Sequence, residues 1–404
     1  MNSDNGNTFA GKILIIGASA AGNSAAKEIR KISARAEVTL ISDENHLPYY
    51  RPLLTRYIGD RSVENNPAFL LNREEWYREN RVDLVLGEKV TVIDPSSRKV
   101  KTNRDREAAF DRLILATGSC PFVPLEGATG CENVFAVRTM DDARSVNNYA
   151  ENAKKAVIIG GGLLGLEAAD ALLKRNLEVS IVEMAERILP LQLDHDGSRF
   201  LESIVRAKNL TLYLGTVARE LIGRPKVGAV GLASGEEIPA DMVLFSIGVR
   251  PNIKLASEIG LETKKGILVN DRMETKREGI YACGDAAEYG RSLCLWMPAV
   301  RQGITAGLNA VGMNAVYDAV EYPATLNSLG TRVFSIGDLA RNQDASHYKT
   351  LESASAADGV YKKLYFLDDR LVGGILIGDT GKSISLSRGV AAKTPRAQAE
   401  ELLK

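Results

Sequence analysis

The chain alternates short apolar runs with glycine-rich turns. Residues 12 to 16, KILII, form an apolar run ending at Gly17. GASAAG (17 to 22) follows, then NSAAKEIRKIS with apolar positions at helical spacing, then VTLI (38 to 41). Strand, tight glycine turn, helix and strand in that order predict a βαβ unit. The pattern returns roughly 140 residues later, where AVIIG (156 to 160) runs into GGGLLGLEAADALLKR and then VSIVE (179 to 183). Two βαβ nucleotide folds in one chain imply an internal duplication, each copy seeding its own domain.

Further apolar runs close on small residues: LILATGS (113 to 119), MVLFSIG (242 to 248) and GIYACGDA (279 to 286). PFVPLEG (121 to 127) and VRPN (249 to 252) are punctuated by proline and predict crossings between domains. WMPAVRQGITAGLNAVG (296 to 312) predicts a helix entered at Pro298. From about residue 321 the texture changes. VFSIGDLA, GVYKKLYFLDDRLVGGILIGD and SISLSRGV predict antiparallel strands joined by DD and GD turns, and KTPRAQAEELLK predicts a terminal helix. The expected fold class is α/β, with two Rossmann-like dinucleotide-binding domains and a small C-terminal α+β domain.

Composition narrows the function. The 404 residues carry 51 Lys+Arg against 51 Asp+Glu, which gives no global attraction to nucleic acid or anionic membrane. Aromatic residues are 6% of the chain, too few for a base-stacking surface. The start, MNSDNGNTFAGK, lacks secretory-signal character, and the longest apolar run is broken by glycines and acids. A cytoplasmic protein without membrane insertion is expected. Cys120, Cys131, Cys283 and Cys294, and His46, His195 and His347, show no metal-ligand spacing, so no metal site is expected.

Gly160, Gly162 and Gly165 fit G-x-G-x-x-G, with Leu163 and Leu164 opening the helix. The glycines allow a tight turn, pyrophosphate approach and close helix packing, so phosphates meet free N–H groups at the positive helix end. Glu183 ends the next strand, placed to bind an adenosine ribose and to repel a 2′-phosphate, which favours NAD(H). The first copy has Gly17 and Gly22 with Ser19 between them, and the expected ribose acid moves to Asp43 or Glu44. Two dinucleotide folds suggest a nicotinamide nucleotide paired with FAD.

GASAAG, LILATGS, GGGLLGLE, FSIGVRPN and YACGDA, in that order, resemble the two-dinucleotide-fold flavoprotein reductases of the pyridine nucleotide-disulfide oxidoreductase superfamily. HLPYYRPLLT and WMPAVRQG are similar to the rubredoxin reductase, ferredoxin reductase and nitrite reductase branch. The resemblance implies an FAD domain over 1–122 and 250–320, an NAD domain over 123–249 and an interface domain over 321–404. It implies that Gly17, Ser19, Ala20, Ala21 and Gly22 cradle the FAD pyrophosphate. It further implies FAD contacts for Arg51, Pro52, Val90, Ala116, Thr117, Gly118 and Asp285. Ala299 would begin a helix aimed at the pyrimidine end of the flavin, and Gly248 would lie near the nicotinamide nucleotide. Arg56 stands where relatives often carry lysine; its implied partner is Glu167, an ion pair that would orient the nicotinamide and tune the flavin.

Disulfide reductases of that superfamily relay electrons through a paired CxxxxC or CxxC, and its NADH oxidases, peroxidases and coenzyme A disulfide reductases use one cysteine in the loop after the first βαβ unit. Here the segment reads DENHLPYYRPLLTRYIGD, without one. Cys120 and Cys283 are expected to be small buried residues, and Cys131 and Cys294 are open to exposure. The expected activity is NADH:acceptor oxidoreduction. Hydride passes between NAD(H) and FAD, and single electrons pass between FAD and a rubredoxin, ferredoxin or iron–sulfur partner, in either direction. A homodimer, an FAD subunit of a larger redox complex, a cysteine-less NADH oxidase and a redox sensor remain open alternatives.

Overall fold

The computed structural model describes residues 9–128, 130–290, 294–340 and 345–403. The first eight residues of the leading stretch read above, and Lys404 of the predicted terminal helix, lie outside them. Two five-stranded parallel sheets dominate. The first runs in the order Ile280–Ala282, Arg112–Leu115, Lys12–Ile16, Glu37–Ile41, Val82–Val85. The second runs Val134–Ala136, Met242–Phe245, Lys155–Ile159, Glu178–Glu183, Leu210–Leu214. Parallel strands are covered on both faces, so they read as unbroken apolar runs, and Ile13, Leu14 and Ile15 are at most 1% exposed.

The duplication goes deeper than the glycine motifs. Each sheet carries a three-stranded antiparallel meander between its third and fourth strands in chain order of the repeat. These are Val90–Asp94, Lys99–Thr102 and Glu107–Ala109 in the first, and Ala218–Ile222, Ala229–Leu232 and Glu237–Pro239 in the second. The copies differ at one edge. The first sheet takes its fifth strand from Ile280–Ala282, late in the chain, whereas the second takes the matching strand from Val134–Ala136, before its own glycine turn. The two crossings pair with each other as an antiparallel ribbon, Ser119–Pro121 against Val249–Pro251.

The helix Trp296–Ala310 lies directly on the helix Ala20–Ile32. A Cβ added at Gly303 would meet the Ala21 carbonyl oxygen at 2.1 Å, and one at Gly307 the Ala25 oxygen at 2.6 Å. Only small residues let two helix backbones approach so closely. The late helix begins at Trp296, three residues before Ala299, with Pro298 in its first turn.

A five-stranded antiparallel sheet follows: Ala324–Ser328, Thr331–Gly337, Arg370–Ile377, Val360–Leu367, Lys349–Ser355. The predicted strand SISLSRGV is instead the helix Ser383–Ala391. Its buried positions, Leu386 and Gly389, are three apart, which is helical spacing, and Ile384 points outward at 67% exposure. Lys349–Ser355 escaped the pattern reading because it is an edge strand, mostly exposed and with little apolar alternation. The terminal helix shortens to Arg396–Ala399 plus a 3-10 turn over Glu400–Leu402. Among the described residues no helix is long and apolar enough to cross a membrane.

Substitution of Gly303 by valine should lower unfolding free energy by about 2 kcal/mol or more, because backbone rather than a pliable side chain opposes the new atoms. Urea denaturation of the wild type and the Gly303→Val variant measures this.

Candidate active site

Both glycine turns do the same geometric work. A Cβ on Gly22 would sit 1.8 Å from the Gly17 oxygen, and one on Gly165 would sit 2.0 Å from the Gly160 oxygen. Each helix therefore starts directly over the end of its strand. Ser19 and Gly162 are the two N-caps, both extended, and neither supplies a side-chain cap. A helix start leaves several N–H groups without intrahelical partners. At Gly162 a Cβ would meet nothing within 4 Å, so that turn faces open space from which an anionic pyrophosphate can approach. The residues present therefore fit a dinucleotide. Ala20 and Ala21 are buried in the first helix start, and Leu163 and Leu164 begin the second, Leu164 being 54% exposed.

The acids expected at the two riboses take different positions. Glu183 folds over the second turn: its carboxylate accepts from the Gly161 N–H at 2.6 Å and the Ala185 N–H at 2.8 Å. In the first copy Asp43 is exposed, while Glu44 turns inward to pair with Arg51 and to accept from the Tyr49 hydroxyl at 2.5 Å. Arg51 also donates to Ser19 Oγ at 3.0 Å and to the Arg138 carbonyl. Its guanidinium thus ties the LPYYRPLLTR segment to the first glycine turn and to the start of the inserted domain. Pro52 lies in the 3-10 turn Arg51–Leu53 that leads into the helix Leu54–Gly59. Burial, with Glu44 alongside, raises the Tyr49 phenol well above its usual range.

Asp285 is buried in the 3-10 turn Gly284–Ala286, and two residues that the sequence reading missed hold it. Ser119 Oγ donates to it at 2.7 Å and Arg138 at 2.6 Å. Gly118 precedes Ser119 and sits at φ 66°. Ala116 is buried, and Thr117 exchanges hydrogen bonds with Asn252 across the ribbon, its Oγ1 donating at 2.8 Å. Gln302 ties the late helix to this turn by accepting from the Gly284 N–H at 2.9 Å. Ala299, one turn of helix earlier, is buried. No local pattern marks Arg138; it precedes the capping box of Thr139 and Asp142, which aims the helix Met140–Tyr149. Gly248 stands at φ 96° where the second sheet passes into the ribbon. Val90 opens the first meander, buried in the core beneath the first sheet.

Several hydrogen bonds join the two dinucleotide folds, and one of them links their helices at a carboxylate. Thr55 Oγ1, on the helix Leu54–Gly59, donates to Glu167 Oε2 at 2.7 Å, on the helix Leu163–Leu173. Arg56 is exposed and forms no ion pair with Glu167; it acts on that carboxylate only through its charge at longer range. The reason is helical phase. Residues 54, 55, 57 and 58 face inward and are buried, which turns 56 to the outside. Burial raises the Glu167 pKa, opposed by the Thr55 hydrogen bond and the charge of Arg56.

The cysteines offer no thiol relay. Cys283 is fully buried, and burial pushes its thiol up to about 12. Cys120 is exposed, contrary to expectation: in the ribbon the neighbouring Ser119 turns in to Asp285, so Cys120 turns out. No disulfide links the four cysteines, and no His, Cys, Asp and Glu group among the described residues could hold a metal.

Two glycine turns of matching geometry on two parallel sheets, with Thr55 and Glu167 linking their helices, define a protein built around two dinucleotides. The chain belongs to the pyridine nucleotide-disulphide oxidoreductase family, which it matches over residues 11–303, and FAD and NAD(H) are its cofactors. Residues 323–394 match the rubredoxin NAD+ reductase C-terminal domain. The chain is 33% identical over 376 residues to a nitrite reductase [NAD(P)H] of Bacillus subtilis strain 168, covering 92% of this chain but 46% of that protein. The chain thus spans about half the length of that relative. It is 32% identical over 381 residues to the NADH-rubredoxin oxidoreductase of Clostridium acetobutylicum, covering 94% of each. The solved NAD-dependent persulfide reductase from A. fulgidus superposes with a TM-score of 0.88 at 28% identity, over 96% of this chain and 78% of the other.

The raised Glu167 pKa has a signed consequence. Between the unfolded carboxyl value near 4.3 and the higher folded value, the folded state binds more protons, so Glu167 costs stability as pH rises through that window. Glu167→Gln keeps an acceptor for Thr55 without the charge. Its stability relative to the wild type should increase between acid and neutral pH, as measured by denaturant melts across that range.

Proposed function

We propose that this chain is an NADH-dependent flavoprotein reductase that exchanges single electrons with a rubredoxin- or ferredoxin-type iron protein. The observation that carries this reading is the junction of Thr55 with Glu167, which closes the two dinucleotide folds on each other through a segment that contains no cysteine. Bound FAD supplies the conversion between two-electron hydride transfer and one-electron transfer.

The chain's own residues bind, orient and shield. Gly17, Ser19 and Gly22, with the first-turn amides behind them, receive the FAD pyrophosphate. Asp285, fixed by Ser119 and Arg138, binds the ribityl side. The start of the helix Trp296–Ala310 directs its positive end toward the pyrimidine ring and stabilises negative charge there. Gly160, Gly162 and Gly165 receive the NAD(H) pyrophosphate, Glu183 its adenosine ribose, and Gly248 lies beside the nicotinamide half. Glu167, held by Thr55, orients the nicotinamide, and Arg56 contributes field rather than a contact. The working units are 1–122 with 250–320, 123–249 and 321–404, in a protein of the cytoplasm. A second reading, the flavin subunit of a larger redox complex, draws support from the nitrite reductase of more than twice this length.

The purified protein should show flavin absorbance that NADH bleaches anaerobically, and reoxidation should be fast with a rubredoxin or ferredoxin and slow with oxygen. Absence of bound flavin would sink the proposal, and rapid oxygen uptake with NADH alone would turn it toward an oxidase. Glu183→Ala should raise the KM for NADH about tenfold, through the loss of charged hydrogen bonding, and narrow the preference over NADPH.

A further inference from the structure

A buried lysine of the C-terminal domain reaches into the second dinucleotide fold. Lys363, on the strand Val360–Leu367, is 9% exposed. Its ammonium lies 2.7 Å from Asp194, 3.1 Å from Asp196 and 3.2 Å from Glu352. Glu352 belongs to the adjacent strand of the same sheet, but Asp194 and Asp196 belong to the inserted domain, at the start of the helix His195–Arg206. Tyr365, two residues along the same strand face, donates to Asp194 Oδ2 at 2.6 Å. Lys363 and Asp194 give up most of their solvent, whereas Asp196 and Glu352 stay about half exposed. Desolvation of the central pair offsets much of its attraction, so the cluster is a weak source of stability and a strong source of position.

Asp194 passes that position on. Its Oδ1 caps the helix by accepting from the Gly197 N–H at 2.8 Å. Asp194 also ends the segment 184–193 that leaves Glu183. The Leu189 N–H in that segment donates to the Gly161 carbonyl at 3.1 Å. Ser198 Oγ, one turn into the helix, donates to the Ile188 carbonyl at 2.8 Å. Ile188, Leu189 and Leu193 are 0% exposed, and Leu189 is held at φ 48°, a conformation a leucine keeps only when its surroundings impose it. The segment is therefore fixed at one end to the glycine turn and at the other to a helix start gripped from a different domain.

We propose that Lys363 is a positioning residue for the nicotinamide nucleotide. Through Asp194 and the segment 184–193, it sets the relation of Gly161 to Glu183 that receives the adenosine ribose. This rests on the reading of that turn as the NAD(H) site. Lys362 provides the contrast: it is more deeply buried, faces the other way and pairs with Asp379 inside its own domain at 2.7 Å.

The experiment uses the FAD-loaded full chain. NAD+ affinity is measured by calorimetry, and amide hydrogen exchange is followed over 184–193. Lys363→Met should weaken NAD+ binding about fivefold, speed exchange in that segment, and raise the KM for NADH by a similar factor with kcat within about twofold. Tyr365→Phe should move the same readouts in the same direction, by about twofold. Lys362→Met should lower the melting temperature without touching either NAD+ affinity or exchange over 184–193. Wild-type affinity and exchange in Lys363→Met overturn the proposal, as do equal shifts in Lys362→Met. If Lys363→Met does not fold, unchanged NAD+ affinity in Tyr365→Phe overturns it. A wild-type chain that binds no NAD+ overturns the site reading itself.

Discussion

The geometry of both glycine turns depends on how closely a helix can start above the strand that precedes it. The clearances of 1.8 Å and 2.0 Å, from an imagined Cβ on Gly22 and Gly165 to the carbonyl beneath, leave no room for any side chain. That contact sets the height of the first helical turn over the sheet, and hence where its unpaired amides point. The late helix repeats the constraint one layer out, where Gly303 and Gly307 bring its backbone against Ala21 and Ala25. Through Gln302 it then locates the turn that carries Asp285. Two close approaches in series thus connect the strand Lys12–Ile16 to a carboxylate near residue 285.

The second organising feature is a shared core. Leu54, Tyr57 and Ile58 of the segment after the first βαβ unit share one apolar cluster with Met140, Ala143 and Val146, with Leu166, Ala169 and Leu172, and with Leu326, Tyr361 and Tyr365. A short helix of the first unit is buried against two helices of the second unit, and one of these, Leu163–Leu173, packs in turn on the C-terminal strand Ala324–Ser328. Burying each such aliphatic side chain contributes about 1.5–3 kcal/mol, so the junction is a structural centre as well as the place where Thr55 meets Glu167. The two dinucleotide folds are held in register by apolar packing, and the polar contact is aimed by it.

The inner parallel strands, both glycine turns and the proline-marked crossings were legible because each has a local signature: an unbroken apolar run, a glycine spacing, a proline. The edge strands Val82–Val85, Val134–Ala136 and Leu210–Leu214 lack such a run and were not read. What escaped was set by tertiary partners. Arg138 has no distinctive neighbours in sequence and becomes meaningful only when the inserted domain brings it to Asp285. The Arg56 expectation followed a family position, but the phase of a six-residue helix gave the contact to Thr55 instead. SISLSRGV carries strand-forming residues, yet the packing of Leu386 and Gly389 on the sheet made it a helix. Cys120 was misjudged because a two-residue alternation in a short ribbon decides which of Ser119 and Cys120 points inward.

The unequal edges of the two parallel sheets bear on the order in which the chain can become a protein. Read from the ribosome outward, the inserted sheet has all five strands once Phe245 has emerged, although its glycine turn comes second. The first sheet, begun at Lys12, lacks an edge until Ile280–Ala282 arrives, and the helix that covers its glycine turn ends only at Ala310. Of the two dinucleotide folds, the one that starts first is therefore the one that finishes last. Until then the strand Arg112–Leu115 has one unpaired side, and the Ser119 hydroxyl has no Asp285 to meet.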